Sequence, residues 1–216
     1  MSKASKQILL VDDHALFADG LKLILESLDG LDKVTISTDA YAVLSNRDSL
    51  VNYDLVLIDL HMPRFSGFAF LTAVQTQSIP VTVAVISGTE KKSDIERALA
   101  LGAQGFIPKD SPSDELLSAV SSMLSGQRYL PLHWAGEIDW LPVESKSPNP
   151  QTKLTERQMQ VLELMRDGMQ NKQIAMVLGV SVSSVKGHIE LLFKNLNVNN
   201  RTCLLYTSDA ADEPSS

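Results

Sequence analysis

Short apolar runs punctuate the first half of the chain. Residues 8–11, 33–36, 55–58 and 81–86 are rich in Ile, Val and Leu, and residues 105–107 (Gly-Phe-Ile) form a weaker fifth run. Near-continuous runs of this kind predict strands buried on both faces. Between them lie stretches with helical spacing. In residues 16–28, Leu21, Leu25 and Leu28 recur at i, i+4 and i+7, and residues 41–46, 68–76, 93–101 and 115–124 also read as helices. Five strands alternating with five helices predict an α/β fold. This is a (βα)5 pattern, a doubly wound parallel sheet whose right-handed crossovers cover both faces.

The second half lacks such runs. Thr155 is placed to cap a helix whose apolar face is Val161, Leu162, Met165 and Met169. A second helix spans 171–178, and Gly179 ends it as a left-handed C-terminal residue would. Ser181 opens a third helix running through Val185, Ile189, Leu192 and Leu196. Two short helices joined by a Gly-containing turn predict a small all-α helix-turn-helix domain. The stretch Glu144-Ser145-Lys146-Ser147-Pro148-Asn149-Pro150 reads as a linker. The expected organisation is a sheet domain at 1–126, a linker at 127–150 and a helical domain at 151–202.

Composition narrows the picture. A chain of 216 residues suits two small domains, and 44% hydrophobic with 21% charged residues excludes a wholly disordered chain. A single Cys excludes an intramolecular disulfide and fits a reducing, cytoplasmic setting. No apolar run approaches the roughly 20 residues that span a bilayer, so no membrane partner is expected. Residues 1–6 lead straight into a strand without a signal-peptide core. The net charge of −7 is unevenly spread. Residues 1–128 carry 11 basic and 16 acidic side chains, whereas residues 151–202 carry seven basic and four acidic. An acidic block therefore precedes a mildly basic one.

Candidate chemistry gathers at the strand ends. Asp12 and Asp13 follow the first strand, Asp59 ends the third, Ser87 ends the fourth and Lys109 follows the fifth. Doubly wound sheets keep their sites at that edge. Singly, each residue has an ordinary explanation: an Asp after a strand caps helices, Ser87-Gly88 suits a turn, and a lysine is usually solvated. Jointly, three carboxylates on one edge call for a cation. Oxygen ligands favour Mg2+, which accepts a phosphate oxygen. A carboxylate can also act as a nucleophile and form an aspartyl phosphate.

Residues 7 to about 125 resemble the receiver domain of a two-component response regulator. The carriers are Leu10-Val11-Asp12-Asp13-His14, Asp59-Leu60-His61-Met62-Pro63, Val85-Ile86-Ser87 and the run from Gly102 to Lys109, in order and at family spacing. The resemblance implies that Asp59 accepts a phosphoryl group from a sensor histidine kinase. It implies that Asp12, Asp13 and Asp59 bind Mg2+ with the backbone carbonyl of His61. Lys109 would pair with the phosphoryl group, Ser87 would move to bond it, and Phe106 would swing inward as the switch. His14 is not expected to be a ligand. The alternative is a hydrolase of the haloacid dehalogenase type, which also uses an Asp nucleophile and Mg2+ on a parallel sheet. Its motif places the nucleophile on the first strand as Asp-x-Asp, whereas Asp12 and Asp13 are adjacent here.

The basic block resembles the DNA-binding domain of the NarL/LuxR family. Leu154-Thr155-Glu156-Arg157, Asn171-Lys172-Gln173-Ile174-Ala175, Ser184-Val185-Lys186-Gly187-His188 and Asn200-Arg201-Thr202 carry it. The resemblance implies that Ser183, Ser184, Lys186 and His188 face double-stranded DNA, with Lys172 and Lys194 near phosphates. It also implies a transcription regulator rather than an enzyme, and a homodimer on phosphorylation. Departures from the family pattern imply a shifted or weakened sequence specificity. Gly187 sits inside the recognition helix at a cost of about 0.5–1 kcal/mol. Glu190 brings negative charge near phosphates, Leu191 stands where a polar residue is common, and Asn197 replaces the usual Gly at the helix end.

The tail from Cys203 to Glu213 is unlike the family's closing helix and resembles an in-frame translation of a transposase-based sequencing adaptor. Residues 203–216 are therefore read as non-native, and the native sequence is expected to diverge after about Thr202. The lone Cys belongs to this stretch.

Overall fold

The computed structural model describes residues 5–63, 65–89, 91–134, 137–138, 154–196 and 201. The Pro/Ser-rich stretch at 144–150, Asn197, Asn200, Thr202 and the tail at 203–216 lie outside them. The chain forms two compact units, Met1–Pro142 and Val143–Ser216.

The first unit is a five-stranded parallel sheet of β1 (Lys6–Val11), β2 (Leu31–Ser37), β3 (Leu55–Ile58), β4 (Val83–Ser87) and β5 (Phe106–Pro108), in the order β2-β1-β3-β4-β5. The crossovers are α1 (Ala15–Leu25), α2 (Ala40–Ser45), α3 (Gly67–Thr76) and α4 (Lys92–Ala100), and α5 (Ser113–Leu124) follows the last strand. Every residue of β3, β4 and β5 is buried, as their unalternated sequences require. Ile8, Leu10, Leu55, Leu57, Ala84 and Ile86 form one layer of the core with Leu21 and Leu25 of α1 and Leu116 and Val120 of α5.

Local chemistry moves some boundaries. Helix α1 ends at Leu25, three residues short of the expected Leu28, because the chain turns toward Gly30 at φ 88°. Strand β4 starts at Val83 rather than 81, since Val81 N donates 2.8 Å to Ile79 O in a tight turn around Pro80. A 3-10 helix at Arg47–Asn52, without a periodic signature, fills the gap before β3.

Residues 127–134 and 137–138, expected to open the linker, belong to the first unit. Phe106 N donates to Tyr129 O at 3.1 Å, Tyr129 N donates to Gln104 O at 3.3 Å, and Gly105 bridges Tyr129 in parallel. A Cβ on Gly105 would lie 2.8 Å from Tyr129 O and 2.6 Å from Met123 Sδ, so only glycine lets the chain lie this close. Tyr129 Oη donates to Glu115 Oε1 at 2.7 Å, and Leu130 and Ile138 are buried.

The second unit contains α6 (Glu156–Arg166), α7 (Asn171–Leu178) and α8 (Val182–Asn195). Thr155 and Gln158 form a reciprocal capping box, and Gly179 closes α7 in the left-handed conformation (φ 64°). The chain then bends by 107° into α8. Val161, Met165, Ile174, Val177, Val185 and Leu192 make the core, and Met169 joins it although it lies beyond the end of α6. Two arginines donate to main-chain carbonyls at or just past helix ends. Arg157 donates 2.6 Å to Leu178 O, and Arg201 donates 2.6 Å to Met169 O and 3.3 Å to Met165 O. No single described helix is long and apolar enough to cross a membrane.

Candidate functional site

The sheet register assembles the site at the carboxyl edge. Asp12 N donates to Ser37 O, Asp59 N to Val11 O and Lys109 N to Ser87 O, at 2.9–3.1 Å. These bonds extend the ladders by one residue past each strand and bring the residues after β1, β3 and β5 around one point. The loop after β3 is fixed by a close approach. Gly67 N donates to Leu60 O, and a Cβ on Gly67 would lie 2.3 Å from Asp59 O. Ser66 caps α3 by accepting from Ala69 N, which holds that loop against the helix start.

Lys109, Asp12 and Asp59 meet at this edge. Lys109 Nζ donates to Asp59 Oδ2 at 2.9 Å and stands 2.8 Å from Asp12 Oδ2. Asp12 and Asp59 are buried, and the Asp13 side chain is 26% exposed. Burial works against the Lys109 ammonium, but the hydrogen bonds and charges of Asp12 and Asp59 outweigh it and hold its pKa above the ordinary lysine value. Asp12 Oδ2 has the Lys109 ammonium as its partner, and Asp13 Oδ1 is buried without a hydrogen bond, 3.2 Å from His14 Nδ1. A buried carboxylate oxygen without a donor, beside two further carboxylates, fits a hard divalent cation.

Ser87 is fully buried at the end of β4, and its Oγ accepts from Thr89 N at 3.4 Å. Phe106 is fully buried on β5. His61 N donates to Asp59 Oδ1 at 3.4 Å, while its imidazole turns away to Asp94 Oδ2, 3.6 Å distant. A cleft of about 530 Å³ opens over Asp59, lined by His14, Phe17, His61, Gly88, Thr89 and Lys109.

Three neighbours stand outside the residues expected at the site. The His14 ring, not expected among the ligands, stands with Nδ1 3.1 Å from Asp12 Oδ1 and 3.2 Å from Asp13 Oδ1. Its backbone N–H donates to the same Asp12 oxygen at 2.8 Å. Adjacency to Asp12-Asp13 was the one available signal. The Phe17 ring lies 4.8 Å from Lys109 Nζ in a cation–π contact, one turn into α1. Asp94 of α4 accepts from Thr89 Oγ1 at 3.1 Å and faces His61, so it ties two walls of the cleft together.

In the second unit Lys172, Ser183, Ser184, Lys186 and Lys194 are exposed, and His188 is half-buried. Ser181 caps α8, and its Oγ lies 2.8 Å from the hydroxyls of both Ser183 and Ser184. The basic character of this block is partly internal, because Arg157 and Arg201 are spent on carbonyls of the fold.

Comparison with known proteins agrees with both units. Residues 8–121 match the family described as "Response regulator receiver domain", and residues 152–207 match "Bacterial regulatory proteins, luxR family". The second match runs five residues past Thr202. The chain is 30% identical over 213 residues to the glycerol metabolism activator of Pseudomonas putida, covering 95% of this chain and 96% of that protein. It is 30% identical to the nitrate/nitrite response regulator protein NarP of Escherichia coli, covering 90% of each. Among solved structures it is similar to the response regulator ChrA of a heme-sensing two-component system (TM-score 0.51, 28% identity, 96% of this chain and 98% of that one). The RcsB–DNA complex shares the fold (TM-score 0.56, 20% identity, 94% of this chain and 96% of that one). The hydrolase alternative finds no support, since the family matched over the sheet is the receiver's.

Proposed function

Because the chain belongs to the response-regulator family that joins a receiver to a luxR-type DNA-binding domain, we propose that phosphorylation of Asp59 by a sensor histidine kinase controls transcription through α8. The carrying observation is the Lys109 ammonium set between Asp59 and Asp12, beside the Asp13 carboxylate, whose buried Oδ1 has no hydrogen bond. Asp59 supplies the nucleophilic oxygen. The P–N bond of a phosphohistidine breaks as the P–O bond to Asp59 forms, and histidine leaves with the electron pair. Asp12, Asp13, Asp59 and the His61 carbonyl would hold Mg2+, which would neutralise charge on the incoming phosphoryl oxygens. Lys109 passes from the carboxylate to the new phosphoryl group. Ser87 moves to donate its hydroxyl, and Phe106 responds on the neighbouring strand. The two forms differ in population, and the phosphorylated one favours dimers on double-stranded DNA. Ser183, Ser184, Lys186 and His188 then face the groove, while Lys172 and Lys194 contact phosphates.

The test is an intact mass after incubation with Mg2+ and acetyl phosphate. One phosphoryl adduct, lost in Asp59→Asn, is the expected result. An adduct that survives in Asp59→Asn defeats the assignment. Turnover of many phosphate esters would point to a hydrolase instead.

A further inference from the structure

Gly187 lies in the interior of α8, where glycine is less favourable than alanine because it gives up more backbone freedom. Nothing inside the domain asks for it. A Cβ on Gly187 would meet no atom within 4 Å, and its φ is not left-handed. The buried side of α8 is Val185, Ile189 and Leu192. With about 100° per residue, Gly187 falls near the middle of the opposite side. Its neighbours there, at i−4, i−3, i+3 and i+4, are Ser183, Ser184, Glu190 and Leu191, all exposed. Leu191 is 48% exposed, an apolar side chain with no core to join. The outward face of α8 therefore carries a notch, floored by helix backbone and walled on one side by a leucine.

We propose that this notch seats the 5-methyl group of a thymine, which makes Gly187 and Leu191 specificity determinants. The proposal rests on α8 being the helix that enters the major groove. The chemistry selects the base. Of the groups displayed in that groove, the thymine methyl is the apolar one, while the others are hydrogen-bond donors or acceptors. Leucine can pair with none of those, and pressing it against them would leave them desolvated and unbonded. Missing Cβ atoms are used where a backbone must approach a ligand closely. Glu190, an acceptor only, stands beside the notch and disfavours the acceptor edge of guanine.

The full chain, treated with Mg2+ and acetyl phosphate, is used to enrich tight binders from a pool of duplexes with randomised centres. The best duplex is then remade with uracil for each thymine in turn, which keeps pairing and removes the methyl. Wild type should lose about tenfold in affinity at one thymine per half-site, the scale of one base-pair contact. G187A should melt at a higher temperature, bind the thymine duplex about tenfold more weakly and ignore the uracil exchange. L191N, altered at an exposed position, should keep its melting temperature and also ignore the exchange. Wild-type affinity and preference in G187A would overturn the proposal, as would indifference of wild type to every uracil exchange. If wild type enriches no duplex, the reading of α8 as a DNA-binding helix falls with it.

Discussion

Lys109 Nζ and Asp59 Oδ2 stand 2.9 Å apart although 50 residues of chain separate them. That contact puts a fixed positive charge where three carboxylates would otherwise repel. Lys109→Ala should therefore lower the unfolding free energy by about 1–3 kcal/mol in metal-free buffer, the cost of leaving a buried acceptor without its partner. Millimolar Mg2+ should restore much of the loss by occupying the same field. Urea unfolding with and without Mg2+ measures both. An equal loss in the two buffers would show that Lys109 and the cation do not share the carboxylates.

Gly67 limits the position of Asp59 from behind. Its missing Cβ would lie 2.3 Å from Asp59 O and 2.9 Å from Leu60 Cα, both backbone atoms that cannot swing aside. Gly67→Ala should push the Asp59 loop out of register and cost about 1–3 kcal/mol of stability, as overpacking does. Labelling by acetyl phosphate should slow more than the stability loss explains. Labelling at the wild-type rate would show that the loop absorbs the methyl elsewhere.

Alkaline pH should act on two groups in the same direction. Burial and the Glu115 carboxylate hold the Tyr129 hydroxyl protonated well above its ordinary range, and Lys109 is raised by Asp12 and Asp59. A raised folded-state pKa gives stability that is complete below the unfolded value and fades above it. Stability should thus hold until roughly pH 10 and then decline, with the ordinary values being 10.0 for tyrosine and 10.5 for lysine. Tyr129→Phe should flatten part of that decline. A pH–stability curve of unchanged shape in this variant would remove Tyr129 from the account.

Arg201 supports the helical unit from its far end. Its guanidinium serves Met165 O and Met169 O together, a span a lysine ammonium cannot reproduce. Arg201→Ala should cost about 1–3 kcal/mol by removing the donor to Met169 O, while Met165 O keeps the Gly168 N–H, and Arg201→Lys should recover little. Thermal melting of the full chain reads both variants. A wild-type transition in Arg201→Ala would make the contact dispensable.

Strand identity and the placement of Asp12, Asp13, Asp59, Ser87 and Lys109 at strand ends are legible in the sequence. Buried parallel strands are written as unbroken apolar runs, and topology alone sends their ends to one edge. Side-chain direction was not legible. His14 could be located but not aimed, because its ring direction follows the positions of the Asp12 and Asp13 carboxylates in the fold. Arg157 and Arg201 enter only as part of the basic total and the family motifs, since nothing local distinguishes a guanidinium on a carbonyl from one in solvent. Residues 127–138 read as linker for a similar reason. Their partners, Gly105 and Glu115, are brought near only by the fold.

The Tyr129 segment has a consequence for how the first unit behaves in solution. Strand β5 ends the sheet, and an uncovered terminal strand invites pairing with another chain. Tyr129 takes up the Phe106 N–H and lies alongside Gly105, so the segment works as a selvedge that keeps the sheet from fraying into aggregates. A fragment cut at Gly126 would keep every phosphoryl-site residue and lose that border. Its colloidal behaviour, rather than its chemistry, is where the difference would show.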